Sequence, residues 1–470
     1  MDALNSFIDW GNGLLWGSVL IYLLVGAGLF FTVATRGVQL RLFGSAWRSV
    51  LGSRGTAGSD GISSFQAFAT GLASRVGTGN IAGVAIAISL GGPGAVFWMW
   101  MTALVGMSTA LIESTLAQAY KVPDPDHGYR GGPAYYIRQG LGQGWMGSLF
   151  AVFLILAFGL VFNAVQSNSI VAAMSGYGVG ALPLGLILAV LVAPIIFGGL
   201  KRVSRVAEVV VPIMAVLYLL VALYVIVTNA AELPAMFSNI FRSAFGLQAA
   251  AGGVAGGIAA ALLNGVKRGL FSNEAGMGSA PNAAAAAEVD HPVQQGLVQM
   301  LGVFVDTILV CTATAAIILL SGVHLGGTET GVQLTQAALT EHVGGWGNDF
   351  LALAIFLFAF TSIIGNYAYA ESNVQYLNRN PAVLNIFRVL VLGMVVFGAV
   401  RDVPTVWNMA DLSMGLMAVT NLIALLLLSP VALRLLRDYD RQRRAGQEAP
   451  VFERCADPEL DRRLPSEVWK

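Results

Sequence analysis

The chain has 470 residues, 56% hydrophobic and 11% charged, with 26 basic and 26 acidic side chains and a mean hydropathy of +0.71. Soluble domains carry about 25% charged residues, so this composition excludes a large soluble enzyme and a nucleic-acid binder and indicates a polytopic α-helical membrane protein. Its two cysteines, Cys311 in an apolar run and Cys455 in a charged tail, are too few for a four-thiolate metal site and too differently placed to pair. The N-terminus has no basic stretch ahead of its apolar run, so no cleaved signal peptide is expected.

At about 20 apolar residues per span, eleven membrane helices are predicted, near 14–34, 62–90, 94–119, 145–167, 181–198, 206–228, 248–288, 296–321, 347–371, 382–400 and 407–435. The second and seventh exceed the length of one span, and each carries a polar, glycine-rich interruption. They stand five helices apart. A five-helix unit that starts with a broken helix therefore occurs twice, and its odd helix number inverts the second copy. The expected fold is an all-α membrane protein of 11 transmembrane helices, an inverted 5+5 repeat with two broken helices plus one extra N-terminal helix. Its units are 1–55 (peripheral helix and basic loop), 56–228 (first repeat), 229–436 (second repeat) and 437–470 (a charged tail, expected to be solvated or a short amphipathic extension).

Cytoplasmic segments hold the excess of Lys and Arg. With the N-terminus outside, the inner segments contain 21 of the 26 basic residues: Arg36, Arg41, Arg48, Arg54, Lys121, Arg130, Arg138, Lys201, Arg202, Arg205, Arg379, Arg388 and nine from Arg434 to Lys470. Only Arg242 and Arg401 fall outside, and Arg75, Lys267 and Arg268 lie within the broken helices. The N-terminus is thus expected outside, and the C-terminus in the cytoplasm.

The stretch Asn264 to Pro281, NGVKRGLFSNEAGMGSAP, sits between alanine-rich segments that favour helix, yet carries glycines, a proline and three charges. Non-helical backbone at bilayer depth persists only where it lines a cavity or is buried in protein, and a broken helix offers free amides to an anion and free carbonyls to a cation. A re-entrant or cytoplasmic loop without a ligand is the plainer alternative. The other break, GLASRVGTGNIAG (71–83), has Gly77 and Gly79 around Thr78, with Asn80 opening the next half-helix. It contains GxGNxxG, but no strand precedes it and no βαβ unit follows, so a dinucleotide site is rejected. A glycine-rich packing face is its alternative reading.

Glu113, Glu274 and Asp306 are the intramembrane acids singled out, with Arg75, Lys267 and Arg268 as expected neutralising partners. His127, His291, His324 and His342 all fall in expected loops, so no histidine relay is available in the membrane. Asn163 and Gln166 share one helix face and read equally as interhelical glue or as substrate contacts. Thr361 and Ser362 are adjacent hydroxyls in an apolar run, and such hydroxyls often only bond the preceding turn.

The strings GTGNIAGVA (77–85), FWMWMTALVGMSTALIESTLAQAY (97–120), GGPAYYI (131–137), GVKRGLFSNEAGMGSAP (265–281), HPVQQG (291–296) and FVDTILVCTATA (304–315) together resemble the alanine or glycine:cation symporter family over about residues 60 to 430. The resemblance implies a leucine-transporter-type fold and sodium-coupled uptake of small neutral amino acids into the cell across the inner membrane. Carried over by motif, the substrate pocket would use Thr78, Gly79, Asn80, Gln166, Phe271, Ser272, Asn273 and Gly276. By analogy with the wider fold, sodium, the co-transported ion, would sit between carbonyls near Ala73 and Val76 and the hydroxyls of Thr361 and Ser362. Where many members show GWYYYGE, this chain has GNYAYAE, with Asn366 in place of a bulky Trp, which leaves pocket size open. No obligate protein partner is evident beside the lipid bilayer. Proton coupling through Glu113, Glu274 or Asp306 is the main alternative. A channel would want repeated carbonyls or charges along a pore, and an enzyme a nucleophile with its base or a metal set.

Overall fold

A computed structural model describes residues 2–53, 62–124, 128–246, 254–323, 330–465 and 468–469. Arg54, His127, His324, Lys470 and the start of the seventh expected helix lie outside the described residues. In chain order the main helices are α1 (Asn5–Ala34), the amphipathic α2 (Phe43–Leu51), α3 (Ser64–Arg75), α4 (Gly79–Gly91), α5 (Gly94–Ala119), α6 (Gly144–Ala173) and α7 (Ala181–Ile196). There follow α8 (Gly199–Thr228), α9 (Leu233–Ala244), α10 (Val254–Asn273), α11 (Pro281–Ala285), α12 (Pro292–Leu319), α13 (Val332–Val343), α14 (Trp346–Leu377), α15 (Pro381–Ala399) and α16 (Val403–Arg444). Eight of these, α1, α5, α6, α8, α12, α14, α15 and α16, are each long and apolar enough to cross a membrane, and α3 with α4 makes a ninth span bent by 50°.

Local chemistry sets the helix starts. Ser63 and Gln66 exchange side-chain and backbone hydrogen bonds in a capping box that opens α3. Asn380 and Asp402 cap α15 and α16 with their side-chain oxygens, and His291 Nδ1 caps α12 by accepting from the Val293 amide. Inside the bundle α5 packs along α10 and α12, and α14 along α3 and α6. The closest of these approaches needs glycine: a Cβ on Gly296 would lie 2.4 Å from Thr115 Oγ1 and 2.7 Å from the Leu111 carbonyl.

α1 and α16 run parallel. Asn12 Nδ2 donates to the Asn408 carbonyl (3.0 Å) near their beginnings, and Arg41, just past the end of α1, meets Asp440 near the end of α16 at 2.6 Å. The two termini therefore leave from opposite ends of the bundle.

Four expectations need correction. The interruption of the seventh helix is narrower than residues 264–281, because α10 stays helical through Asn273 and only 274–280 is irregular. The Lys267 and Arg268 charges that argued against helix leave sideways, to Asp411 on α16. The chain is not purely helical: Val122–Asp124 and Gly128–Arg130 pair as an antiparallel hairpin tied by Arg130 to Asp124 (2.6 Å). The tail does not stand apart from the bundle, although residues 444–449 are exposed. α16 continues to Arg444, and the residues after it fold back under the bundle, burying Phe452, Leu460, Leu464 and Trp469. The Trp469 indole donates to the Gln118 carbonyl (3.1 Å), and the Phe452 amide to that of Asp290 (2.9 Å). His291 lies within this packing, 3.3 Å from Asp438 and edge-on to Tyr439 and Phe452. Burial pushes its imidazole below the ordinary value, against the pull of Asp438. Of the other described histidine, His342 lies on helix α13 rather than in a loop.

Candidate functional site

The first break is Val76 to Thr78, between α3 and α4, and side chains complete the hydrogen bonds that the helix gives up there. Ser362 Oγ on α14 donates to the carbonyls of Ala73 and Ser74 (3.0 and 3.1 Å). Asn80 Oδ1 accepts from the Gly77 amide (2.9 Å), and Gln166 Oε1 on α6 accepts from the Thr78 amide (3.2 Å). Gly77 is required at this crossing, since a Cβ would come 2.2 Å from Ser362 Oγ.

The second break, 274–280, holds three residues at positive φ: Glu274 (59°), Gly276 (89°) and Gly278 (83°). A non-glycine residue there is uncommon and costs strain. Glu274 is held by hydroxyls from the last turn of α3 and from its own break, Ser74 Oγ at 2.6 Å and Ser279 Oγ at 2.6 Å. Glu113 on α5 accepts the amides of Gly276 and Gly278 (both 3.2 Å), and Asn421 on α16 donates to Glu113 (3.0 Å) and to the Gly276 carbonyl (2.9 Å). These two carboxylates bind amides and hydroxyls, so the expected neutralising pairs do not form. Lys267 and Arg268 pair instead with Asp411 at 3.4 and 2.5 Å, and Arg75 donates to Gln299 Oε1 (3.1 Å). Asp411 lies inside the last expected span and is not among the acids picked out above; the sequence signal for it is the pair of adjacent basic residues at bilayer depth, which an acid must face.

Between the breaks lies a closed polar cluster. Asn80 Nδ2 donates to Asp306 Oδ1 on α12 (2.7 Å) and lies 3.1 Å from Ser272 Oγ, which itself donates to Asp306 Oδ2 (2.6 Å). Gly79 lies against Phe271, whose Cδ1 would be 2.9 Å from an added Cβ. Phe271 is sandwiched between Phe162 and Trp407, with ring centroids 4.6 and 4.7 Å apart. Thr78, Asn80, Ser272 and Asn273 are fully buried, and the Thr78 hydroxyl and the Asn273 amide nitrogen have no hydrogen-bond partner among the described residues.

Thr78, Gly79, Asn80, Gln166, Phe271 and Ser272 are thus brought together. Gly276 is not: it faces Leu422, Thr109 and Leu24, away from the cluster. Asn163 bonds Asn366 and the Gly159 carbonyl, which makes it interhelical glue, and Asn366 also lies 2.7 Å from Ser74. At the expected ion position Ser362 reaches Ala73, whereas Thr361 bonds the carbonyls of Leu357 and Phe358 on its own helix and lies beside Met214. Three elements at the cluster also carry π-helical stretches that sequence reading missed: Gly79–Gly83, Ile155–Val161 and Phe304–Cys311. Such widened turns recur at functional sites.

A family model described as the sodium:alanine symporter family matches residues 1–454. The chain belongs to that family. The amino-acid carrier protein AlsT of Bacillus subtilis is 50% identical over 99% of this chain and 98% of its own length. The probable sodium/glutamine symporter GlnT of the same organism is 50% identical over 96% and 94%. Among solved structures, the crystal structure of MhsT in complex with L-phenylalanine superimposes with a TM-score of 0.52 at 15% identity, covering 81% of this chain and 99% of that one. That likeness establishes the leucine-transporter-type fold. The family member is accordingly a multi-pass membrane protein for sodium-coupled amino-acid symport, with sodium as the co-transported ion.

Proposed function

We propose that this symporter carries alanine and glycine inward with sodium by alternating access, between its two helix breaks. The observation behind this is the closed cluster of Thr78, Gly79, Asn80, Gln166, Phe271 and Ser272, in which a single added Cβ on Gly79 would already meet the Phe271 ring at 2.9 Å. The substrate carboxylate is held at the opening amides of α4, where the helix dipole favours an anion. To admit it, Gln166 releases the Thr78 amide and turns to orient the substrate. The ammonium faces the last carbonyls of α10, from Phe271 to Asn273, which a helix end leaves free. Sodium takes oxygen ligands, supplied by the Ala73 and Val76 carbonyls and the hydroxyls of Ser362 and Thr361. Around the site we read eleven spans, an inverted 5+5 repeat plus α1, set in the inner membrane with the N-terminus outside. The reading is supported by 21 of 26 basic residues falling on one side in that orientation.

Counterflow into proteoliposomes tests substrate and ion together, using labelled alanine, glycine, glutamine and leucine with and without a sodium gradient. Alanine and glycine should exchange and leucine should not, since overfilling a packed site costs about 1–3 kcal/mol. Robust leucine or glutamine uptake would contradict the assigned pocket. A second reading, proton coupling, draws on Asp306, a buried carboxylate bonded to Asn80 and Ser272 of the two half-helices. It requires uptake driven by a pH gradient with sodium absent.

A further inference from the structure

Where α1 and α16 end side by side, a crevice of about 410 Å³ opens between them, lined by Ala34, Thr35, Leu433, Leu436, five arginines and one acid. The arginines are Arg36, Arg41, Arg437, Arg441 and Arg444, and the acid is Asp440, so the lining carries a net charge of +4 (five minus one). Asp440 is already engaged by Arg41 at 2.6 Å, and Arg441 leans on Asp438. Arg36, Arg437 and Arg444 have no carboxylate within 4 Å among the described residues. Some arginines elsewhere on this face carry acids of their own: Arg130 has Asp124, Arg388 has Glu371, and Arg434 has Asp457. A general excess of basic residues at one membrane face explains arginines there, but not their convergence without counter-charge into one crevice.

The backbone adds a second sign. Arg36 sits at φ 58°, one of two non-glycine residues described with positive φ, although glycine follows it and would suit the position better. Strain is retained where a side chain is needed in place. Exposed apolar side chains adjoin the walls: Val33 is 76% exposed, with Leu29 and Phe30 also exposed on the end of α1, and Leu40, just beyond it, is 82% exposed. A ligand suited to this geometry has phosphate for guanidinium forks and hydrocarbon for the adjoining apolar face.

We infer that this crevice is a binding site for the headgroup of an anionic glycerophospholipid, with its acyl chains lying along the end of α1. Basic pockets between membrane helices recognise such headgroups. On the orientation proposed above the lipid belongs to the cytoplasmic leaflet, but the binding itself does not depend on that orientation.

Native mass spectrometry of the full-length protein in a neutral detergent tests the site, with phosphatidylglycerol, phosphatidylcholine and inorganic phosphate added in separate titrations. Phosphatidylglycerol should form a saturable adduct that phosphatidylcholine does not form, and millimolar phosphate should not displace it. At about fivefold per arginine, R437Q/R444Q should weaken that adduct roughly 25-fold. R437K/R444K, which keeps the charge, should retain most of it, and R434Q, outside the crevice, should bind as the unmodified protein does. Equal binding of both lipids, displacement by phosphate, or full retention by R437Q/R444Q would each overturn the site.

Discussion

Ser362 and Thr361 are neighbours in sequence, but their hydroxyls do different things. Ser362 reaches across to the Ala73 and Ser74 carbonyls at the first break, while Thr361 bonds its own preceding turn. Ser362→Ala is therefore expected to raise the sodium concentration for half-maximal uptake about tenfold, the worth of roughly 1.4 kcal/mol for one good hydrogen bond. Thr361→Ala should raise it less. A sodium titration of alanine uptake by both variants decides this, and an inverted order would remove Ser362 from the ion site. Gly79 offers the matching test for substrate. Gly79→Val places branched carbon against Phe271 and the Ser272 Cα, 2.9 and 3.3 Å from the first added atom. Alanine binding should be lost while the protein still inserts and purifies as a monodisperse species; normal alanine exchange would show that the ligand lies elsewhere. Gly276→Val would report on something different, because the φ of 89° and the contact with Leu422 make it a lesion of the second break itself.

At the scale of elements, the two breaks and the tail behave as one system. Glu274 ties the breaks together through Ser74, and the Ile62 carbonyl and amide pair with the strand-like residues after α11. Directly beneath, Gln118 donates to the Ala284 and Ala287 carbonyls (2.5 and 2.9 Å), and the Trp469 indole closes over it. The tail thus rests on the end of α5 and the start of α12. Its docking should depend on pH through His291, whose value is depressed below 6.5 by burial. A histidine that binds its proton more weakly when docked favours docking while neutral. That contribution is complete above the ordinary value and is lost as pH falls through it toward the depressed one, at up to about 1.4 kcal/mol per pH unit. Cys455 is exposed on the tail and Cys311 is buried, so a nitroxide attached to Cys455 reports docking selectively. Its spectrum should sharpen between pH 7.5 and 5.5 and stay unchanged in His291→Gln. A sharpening that persists in the variant would assign the transition to another group.

For the whole molecule, the parallel course of α1 and α16 makes a checkable statement about topology. Single cysteines introduced near residues 10 and 440 are expected to react from opposite sides of the membrane, the first from outside. Labelling of both from one side would contradict the odd number of spans. Composition and hydropathy alone determined that this is a polytopic helical membrane protein, because burial in lipid imposes long apolar segments that any reader of the chain can count. The places of the breaks were legible too, at Gly77–Asn80 and near Gly276–Gly278, since clustered glycine and charge at bilayer depth conflict with continuous helix. What only the tertiary structure decided was partnership. Arg268 finds Asp411 143 positions away, Glu113 caps amides 163 and 165 positions away, and Gly276 turns from the cluster that Gly79 faces. The same holds for the tail, whose charged composition suggested solvent, while Phe452, Leu460, Leu464 and Trp469 are spaced too irregularly to announce a buried face. Periodicity records which side of an element is apolar. Which distant group satisfies a buried carboxylate or amide depends on how helices cross, and that is fixed only when the whole bundle has packed.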